Sequence, residues 1–150
     1  MVSGAGLVLQ AVRIVLGFIL GLTGAGVFLA WGFFQGLSDT SEPGLAGAVV
    51  ATGLVSAALI GALAFVPAAL AIVLAEAFRW RSFLYHVAVG GLIALALWGI
   101  GDIGPIPDDA AGGSSLRPGT TVALAAGFVA GAIYWLVAGR SSGTWRRAEG

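Results

Sequence analysis

The stretch LAGAVVATGLVSAALIGALAFVPAALAIVLA, residues 45–75, contains no charged side chain and is followed by the polar sequence EAFRWRS, residues 76–82. About 20 apolar residues, each rising about 1.5 Å along a helix, cross a hydrocarbon core of ~30 Å. The stretch is longer than one crossing needs and too short for two, so it predicts one tilted or bent transmembrane helix. Pro67 predicts the bend, because its ring removes a backbone donor and crowds the carbonyl of Leu63.

Three further apolar stretches flank this one, and each fits a single crossing. Together they predict one membrane domain over residues 1–150, an all-α polytopic protein with four transmembrane helices in an antiparallel bundle. The predicted helices are 14–34, 45–75 with a kink at Pro67, 83–100 and 120–138. The predicted connections are loops 36–44 and 101–119 on one side of the membrane, and loop 76–82 with tail 139–150 on the other.

Composition supports the membrane assignment. Hydrophobic residues make up 59% of the chain and charged residues 9%, and the mean hydropathy is +1.01, which leaves too little polar surface for a soluble domain. A formal net charge of zero gives no indication of a nucleic-acid partner. The absence of cysteine excludes disulfides, thiolate metal sites and a cysteine nucleophile. The absence of lysine beside abundant Ala, Gly, Val and Arg is typical of GC-rich bacterial DNA, so we expect a bacterial inner membrane.

The arginines predict the orientation. Six of the seven lie before the first apolar stretch, in loop 76–82 or in the tail, and only Arg117 lies in loop 101–119. Short loops rich in arginine stay in the cytoplasm, so both termini are expected to be cytoplasmic and loops 36–44 and 101–119 periplasmic. A cleaved signal peptide is the competing interpretation, but the apolar run after Arg13 is longer than a typical signal-peptide core.

Small residues recur about one turn apart on every predicted helix, and such faces let transmembrane helices approach closely. They favour a compact bundle, although the sequence leaves open whether the faces meet within one chain or between chains. The expected packing residues are Gly17, Gly21 and Gly24 on the first helix, Gly53, Ala57 and Gly61 on the second, Gly90 and Gly91 on the third, and Ala123, Gly127 and Gly131 on the fourth.

The only concentrated set of titratable residues is Glu76, Arg79, Arg81 and His86, around loop 76–82. One interpretation is a proton-linked gate or an anionic-ligand site, with His86 able to change charge near neutral pH. The other is an interfacial ion pair with snorkelling arginines and a histidine in the headgroup region. We favour the second interpretation, because none of the four residues lies deep in an apolar stretch.

Enzyme motifs are missing from the sequence. One histidine cannot build a usual zinc site, and a chain without lysine has no phosphate-binding loop of the Walker type. We therefore expect no catalytic activity, no cofactor and no metal. The preferred function is a non-catalytic packing or assembly subunit of a membrane complex; the alternative is a small oligomeric channel or transporter. The expected partners are the lipid bilayer and other membrane helices, in a homo-oligomer or a larger complex.

Residues 76–97, EAFRWRSFLYHVAVGGLIALAL, resemble part of a group of uncharacterised small four-helix inner-membrane proteins of alphaproteobacteria. The resemblance implies a bacterial inner-membrane location and four crossings, and it brings no functional residues with it. Two better-known families of similar size match less well. The first predicted helix lacks the buried glutamate of small multidrug exporters, and the polar pore residues of four-crossing fluoride channels are missing.

Overall fold

The computed structural model describes residues 4–34, 44–100 and 119–144, and most of these residues are helical. In chain order the elements are α1 Gly4–Phe34, α2 Leu45–Phe78, α3 Phe83–Ile100, α4 Thr120–Val137 and a short 3-10 turn, Gly139–Ser141. All four α-helices are long and apolar enough to cross a membrane. The prediction of an all-α chain with four helices of transmembrane length and character is confirmed.

The first helix is longer than predicted. α1 begins at Gly4 rather than at residue 14, so Gln10 and Arg13 lie inside it. Long unbranched side chains such as these lose little rotamer freedom in a helix, so a polar residue marks the edge of an apolar stretch without ending the helix. For the same reason α2 continues past residue 75 to Phe78. α4 ends at Val137, one residue before its predicted end.

α2 is helical on both sides of Pro67. Because proline has no N–H, the helix loses the hydrogen bond that this residue would donate one turn back. The bend itself stays a prediction. The predicted periplasmic loops, 36–44 and 101–119, lie outside the described residues except for Gly44 and Gly119, and so do residues 145–150 of the predicted tail.

Small side chains face the interior of the bundle and large ones cover its outside. Among the described residues, the buried hydrophobic ones are alanines and Tyr134, whereas Leu63, Val66 and Leu84 are 68%, 65% and 73% exposed. A water-soluble protein has the opposite arrangement, because its large apolar residues are the ones most often buried. An outer layer of leucine and valine is favourable in lipid, so this arrangement also indicates a membrane protein.

Glycines allow close approach at three helix pairs: α1 with α2, α1 with α4, and α3 with α4. A methyl group added at Gly21 would lie 2.9 Å from the carbonyl oxygen of Ala130, and one added at Gly53 would lie 2.9 Å from Cα of Val27. At Gly90 an added methyl would meet the backbone of α4. α2 and α3 contact each other at few positions. The helices therefore pack in the spatial order α2, α1, α4, α3.

The expected small residues lie at contacts between helices of the one chain. Gly17, Gly21 and Gly24 face α4, and Gly53 and Gly61 face α1. Gly90 faces α4 as well. The remaining expected packing residues are also buried, on α2, α3 and α4: Ala57, Gly91, Ala123, Gly127 and Gly131. One close approach between helices, at Gly26 on α1, was not among the expected packing residues.

Candidate functional site

α2 and α3 are joined by a reversal at residues 79–82, which we call the hairpin. Arg79 ends α2 in the left-handed conformation, with φ 58°, and the backbone N–H groups of Arg79 and Trp80 both donate to the carbonyl of Ala75. Glycine usually occupies this position at a helix end, because a Cβ atom makes the conformation unfavourable by about 1 kcal/mol. The hairpin therefore holds an exposed arginine in a backbone conformation that suits glycine better.

The carboxylate of Glu76 joins three parts of the chain. Its Oε1 accepts a hydrogen bond from Gln10 Nε2 at 2.6 Å, and its Oε2 accepts one from the backbone N–H of Gly143 at 2.7 Å. Ser141 Oγ donates to Gln10 Oε1 at 2.9 Å. We call the side chains of Gln10, Glu76 and Ser141, with the Gly143 N–H, the polar cluster. It connects the first turns of α1 and the end of α2 to the residues that follow α4.

Residues 139–144, which we call the C-terminal segment, lie against the hairpin. Arg81 Nε donates to the carbonyl of Ser142 at 3.0 Å, and Trp135 Nε1, one turn before the segment, donates to the carbonyl of Arg81 at 2.8 Å. Ser142 has no exposed surface. The first part of the predicted cytoplasmic tail is therefore packed against the bundle.

His86 is buried between α4 and the C-terminal segment. Its Nδ1 lies 2.8 Å from the carbonyl oxygen of Ser82, which assigns the ring proton to Nδ1 as the donor. The ring stacks on Tyr134 with centroids 5.6 Å apart, and a methyl group added at Gly139 would lie 2.9 Å from Nε2. Nε2 has no hydrogen-bond partner among the described residues. His86 thus closes one end of the bundle by packing.

The four residues singled out from the sequence all lie against the C-terminal segment, at separate positions. Glu76 and Arg79 meet Gly143, Arg81 meets Ser142, and His86 meets Gly139, so they do not converge on one reacting point. Glu76 and Arg81 hold this segment by hydrogen bonds, whereas Arg79 and His86 lie against it.

Sequence reasoning missed the partners of Glu76. Gln10 lies two turns before Gly17 and shares its helix face, so extending the small-residue face of α1 backwards would have found it. Gln10 is only 3% exposed. Ser141 and Ser142 gave no such signal, because they follow α4 in a short polar stretch without periodicity.

The polar side chains at the hairpin end of the bundle are paired as hydrogen-bond donors and acceptors. Ser141 Oγ bonds to Gln10 and to the carbonyl of Ala138, at 2.9 Å each, and therefore has an amide rather than a base beside it. Within residues 4–34, 44–100 and 119–144 no three His, Cys, Asp or Glu side chains gather as a metal site would require. The arrangement suits holding helix ends together.

A cavity of about 590 Å³, which we call the central cavity, runs between the four helices. Tyr85, His86 and Tyr134 line its end at the hairpin, and Trp98 and Gly119 line the opposite end. Between them the lining is apolar and rich in glycine and alanine. From His86 to Trp98 the cavity follows α3 for about 18 Å, more than half of the ~30 Å hydrocarbon core.

When the chain is compared with protein-family models, curated proteins and solved structures, none of the three comparisons finds a match. The resemblance of residues 76–97 to small inner-membrane proteins accordingly stays an expectation. Fold and site are therefore interpreted from the geometry of the chain itself.

Proposed function

We propose that the protein is a non-catalytic packing or assembly subunit of a membrane complex. In this proposal it lies in a bacterial inner membrane as an antiparallel four-helix bundle with both termini in the cytoplasm. A second small-residue face on α2, turned away from the other helices, carries the proposal. No catalytic constellation competes with it among the described residues.

The outer face of α2 contains Gly47, Ala51, Ala58 and Ala62, all of which are exposed, beside the exposed large side chains of Leu54, Val55 and Phe65. The inner face, with Gly53 and Gly61, is already packed on α1. No described atom lies within 4 Å of a methyl group added at Gly47. Because lipid tails are as apolar as leucine, helices associate in membranes through close packing of small residues. The outer face is therefore suited to one more transmembrane helix, supplied by a partner.

The first test enlarges this face. We expect Ala58→Leu with Ala62→Leu to reduce the partner retained during purification in mild detergent by about tenfold, which corresponds to ~1.4 kcal/mol of lost packing. Native mass analysis of the tagged protein measures the retained partner and distinguishes a foreign subunit from a second copy. Ala88→Leu, at an exposed position on α3, is the matched control. Equal retention by the double variant and the control would exclude the outer face as the interface.

The alternative is a small oligomeric channel or transporter, which the central cavity favours. Its lining is apolar, and an ion path requires rings of carbonyls or charged side chains. In this alternative the transported molecule would itself be apolar. A homo-oligomer without a foreign subunit, together with solute flux in liposomes that a cavity-filling variant abolishes, would favour it over assembly.

The orientation is supported by the arginines. We expect single cysteines introduced at Ser3 or Ser82 to resist an impermeant thiol reagent in intact cells and one at Asp109 to react, because loop 101–119 is proposed to be periplasmic whereas the N-terminus and the hairpin are proposed to be cytoplasmic. Ser82 is exposed on the hairpin, whereas Ser142 is fully buried and would be protected on either side of the membrane. The absence of native cysteine removes background labelling. Labelling at Ser82 but not at Asp109 would reverse the orientation.

A further inference from the structure

The central cavity is too large and too apolar to remain empty or to fill with water. Protein interiors contain few voids larger than a water molecule, and this one measures about 590 Å³. Buried water needs about two to four polar partners. At the hairpin end the Tyr85 hydroxyl already donates to the carbonyl of Ala71 at 3.0 Å, His86 Nδ1 donates to Ser82, and the unpaired Nε2 of His86 is buried against Gly139. The cavity is therefore suited to an apolar occupant.

The sparse contact between α2 and α3 opens the cavity to the surrounding lipid. Leu63 lines the cavity and is also 68% exposed, which places it at the edge of this opening. The lining residues extend from Ile60 to Ile72 on α2 and from His86 to Trp98 on α3. Each of these spans corresponds to about 18 Å of helix, and the lining on α1, from Gly17 to Gly32, corresponds to about 22 Å.

The length of the cavity distinguishes between two apolar occupants. The acyl chains of one leaflet extend about 15 Å, half of the ~30 Å hydrocarbon core, and one such chain fits within the length of the cavity. A transmembrane helix of a partner would need a groove along the whole ~30 Å. An acyl chain is therefore the occupant that fits in both polarity and length.

The hairpin joins α2 and α3 at one end of the opening between them, and it carries two arginines. Arg79 and Arg81 are both exposed there. Arg81 donates to Ser142 through Nε, and a guanidinium has five N–H donors in a planar fork that matches phosphate geometry. We propose that the central cavity and the hairpin form a phospholipid site, with one acyl chain in the cavity and an anionic phosphate headgroup on Arg79 and Arg81.

The left-handed backbone at Arg79 provides a variant that removes the charge without straining the fold. Glycine is the residue that this conformation favours, so Arg79→Gly relieves backbone strain while deleting the guanidinium. Ala68→Phe, in turn, places a ring in the cavity from α2, where Ala68 is one of the lining residues. Ala77→Phe makes the same change at an exposed position that does not line the cavity and is its matched control.

The test is native mass spectrometry of the full chain in detergent with added phosphatidylglycerol or phosphatidylcholine of identical acyl chains. We expect the wild type to retain phosphatidylglycerol preferentially. Arg79→Gly should lower that preference about fivefold, the effect of roughly one arginine near an anionic surface. Ala68→Phe should lower retention of both lipids about tenfold, because its ring displaces about two methylene groups of the acyl chain from the cavity. Ala77→Phe should retain both lipids as the wild type does.

Three results would overturn the proposal. Equal retention of the two lipids by the wild type would exclude Arg79 and Arg81 as a site for an anionic headgroup. Equal lipid retention by Ala68→Phe and Ala77→Phe would exclude the central cavity as the site of the acyl chain. A foreign protein that co-purifies with the wild type and is lost in Ala68→Phe would identify a helix as the occupant. Because Ala68 does not lie on the outer face of α2, the assembly proposal is tested separately.

Discussion

Gly90→Val is expected to lower the free energy of unfolding by about 3 kcal/mol, because α3 and α4 cross backbone to backbone at this residue. A methyl group at Gly90 would lie 3.1 Å from the amide nitrogen of Gly131 and 3.2 Å from the carbonyl carbon of Gly127. Backbone atoms cannot turn aside as a side chain can, so the two helices must separate. Unfolding of the purified protein in mild detergent, followed by circular dichroism against temperature or added sodium dodecyl sulfate, measures the loss.

Gly99→Val is the control, on the same helix and with the same change in size. No described atom lies within 4 Å of a methyl group added at Gly99. The control therefore reports the effect of valine on α3 without any helix crossing. If both variants lost the same stability, close approach at Gly90 would not be what holds α3 to α4.

Glu76→Leu is expected to release the C-terminal segment from the bundle. The substitution leaves the amide of Gln10 and the N–H of Gly143 without their carboxylate, and hydrogen bonds to a charged group contribute about 1.5–3 kcal/mol each. A cysteine at Ser142, which is fully buried in the native protein, reports the release. Its rate of reaction with a thiol reagent in detergent should rise at least about tenfold in the Glu76→Leu background.

Two further variants show whether the carboxylate itself matters. Glu76→Gln keeps one acceptor oxygen and should give an intermediate rate. Ala77→Leu, at the neighbouring exposed position, should leave the rate unchanged. A cysteine at residue 142 that reacts quickly in the otherwise native protein would contradict the packed arrangement of the C-terminal segment.

The helices could be predicted from the sequence because the signal for a membrane crossing is the length of an apolar run. The length of the apolar run predicted that α1 starts at residue 14, whereas the helix starts at Gly4. An apolar run marks the part of the chain that lies in lipid, and the backbone hydrogen bonds of a helix can extend beyond it. The small-residue faces were predictable from their spacing. Which face packs against which could not be predicted, because α1, α2 and α4 have similar small-residue faces and only the three-dimensional arrangement assigns the partners.

The candidate site was predicted in part. The charged and titratable residues Glu76, Arg79, Arg81 and His86 stood out in the sequence, but the hydrogen-bond partners of Glu76, Arg81 and His86 are an amide and backbone groups, which no compositional signal distinguishes. Gln10 and Ser141 are far apart in the chain and meet only because α1 and α4 pack side by side. The central cavity had no signal in the sequence, since it arises from the sparse contact between α2 and α3, which are neighbours along the chain.

The order in which the helices pack also constrains how the protein is made. α1 and α2 can pair as soon as both have entered the membrane, but α3 has sparse contact with α2, and its main neighbour is α4. During synthesis α3 must therefore wait in the bilayer, with the glycines at 90 and 91 facing lipid, until the last helix inserts between α1 and α3. The contact between α1 and α4 is the non-local one, and because non-local contacts delay completion of a fold, the interval before α4 inserts is when misassembly would be most frequent. A ribosome stalled before residue 120 would leave α3 without its principal partner.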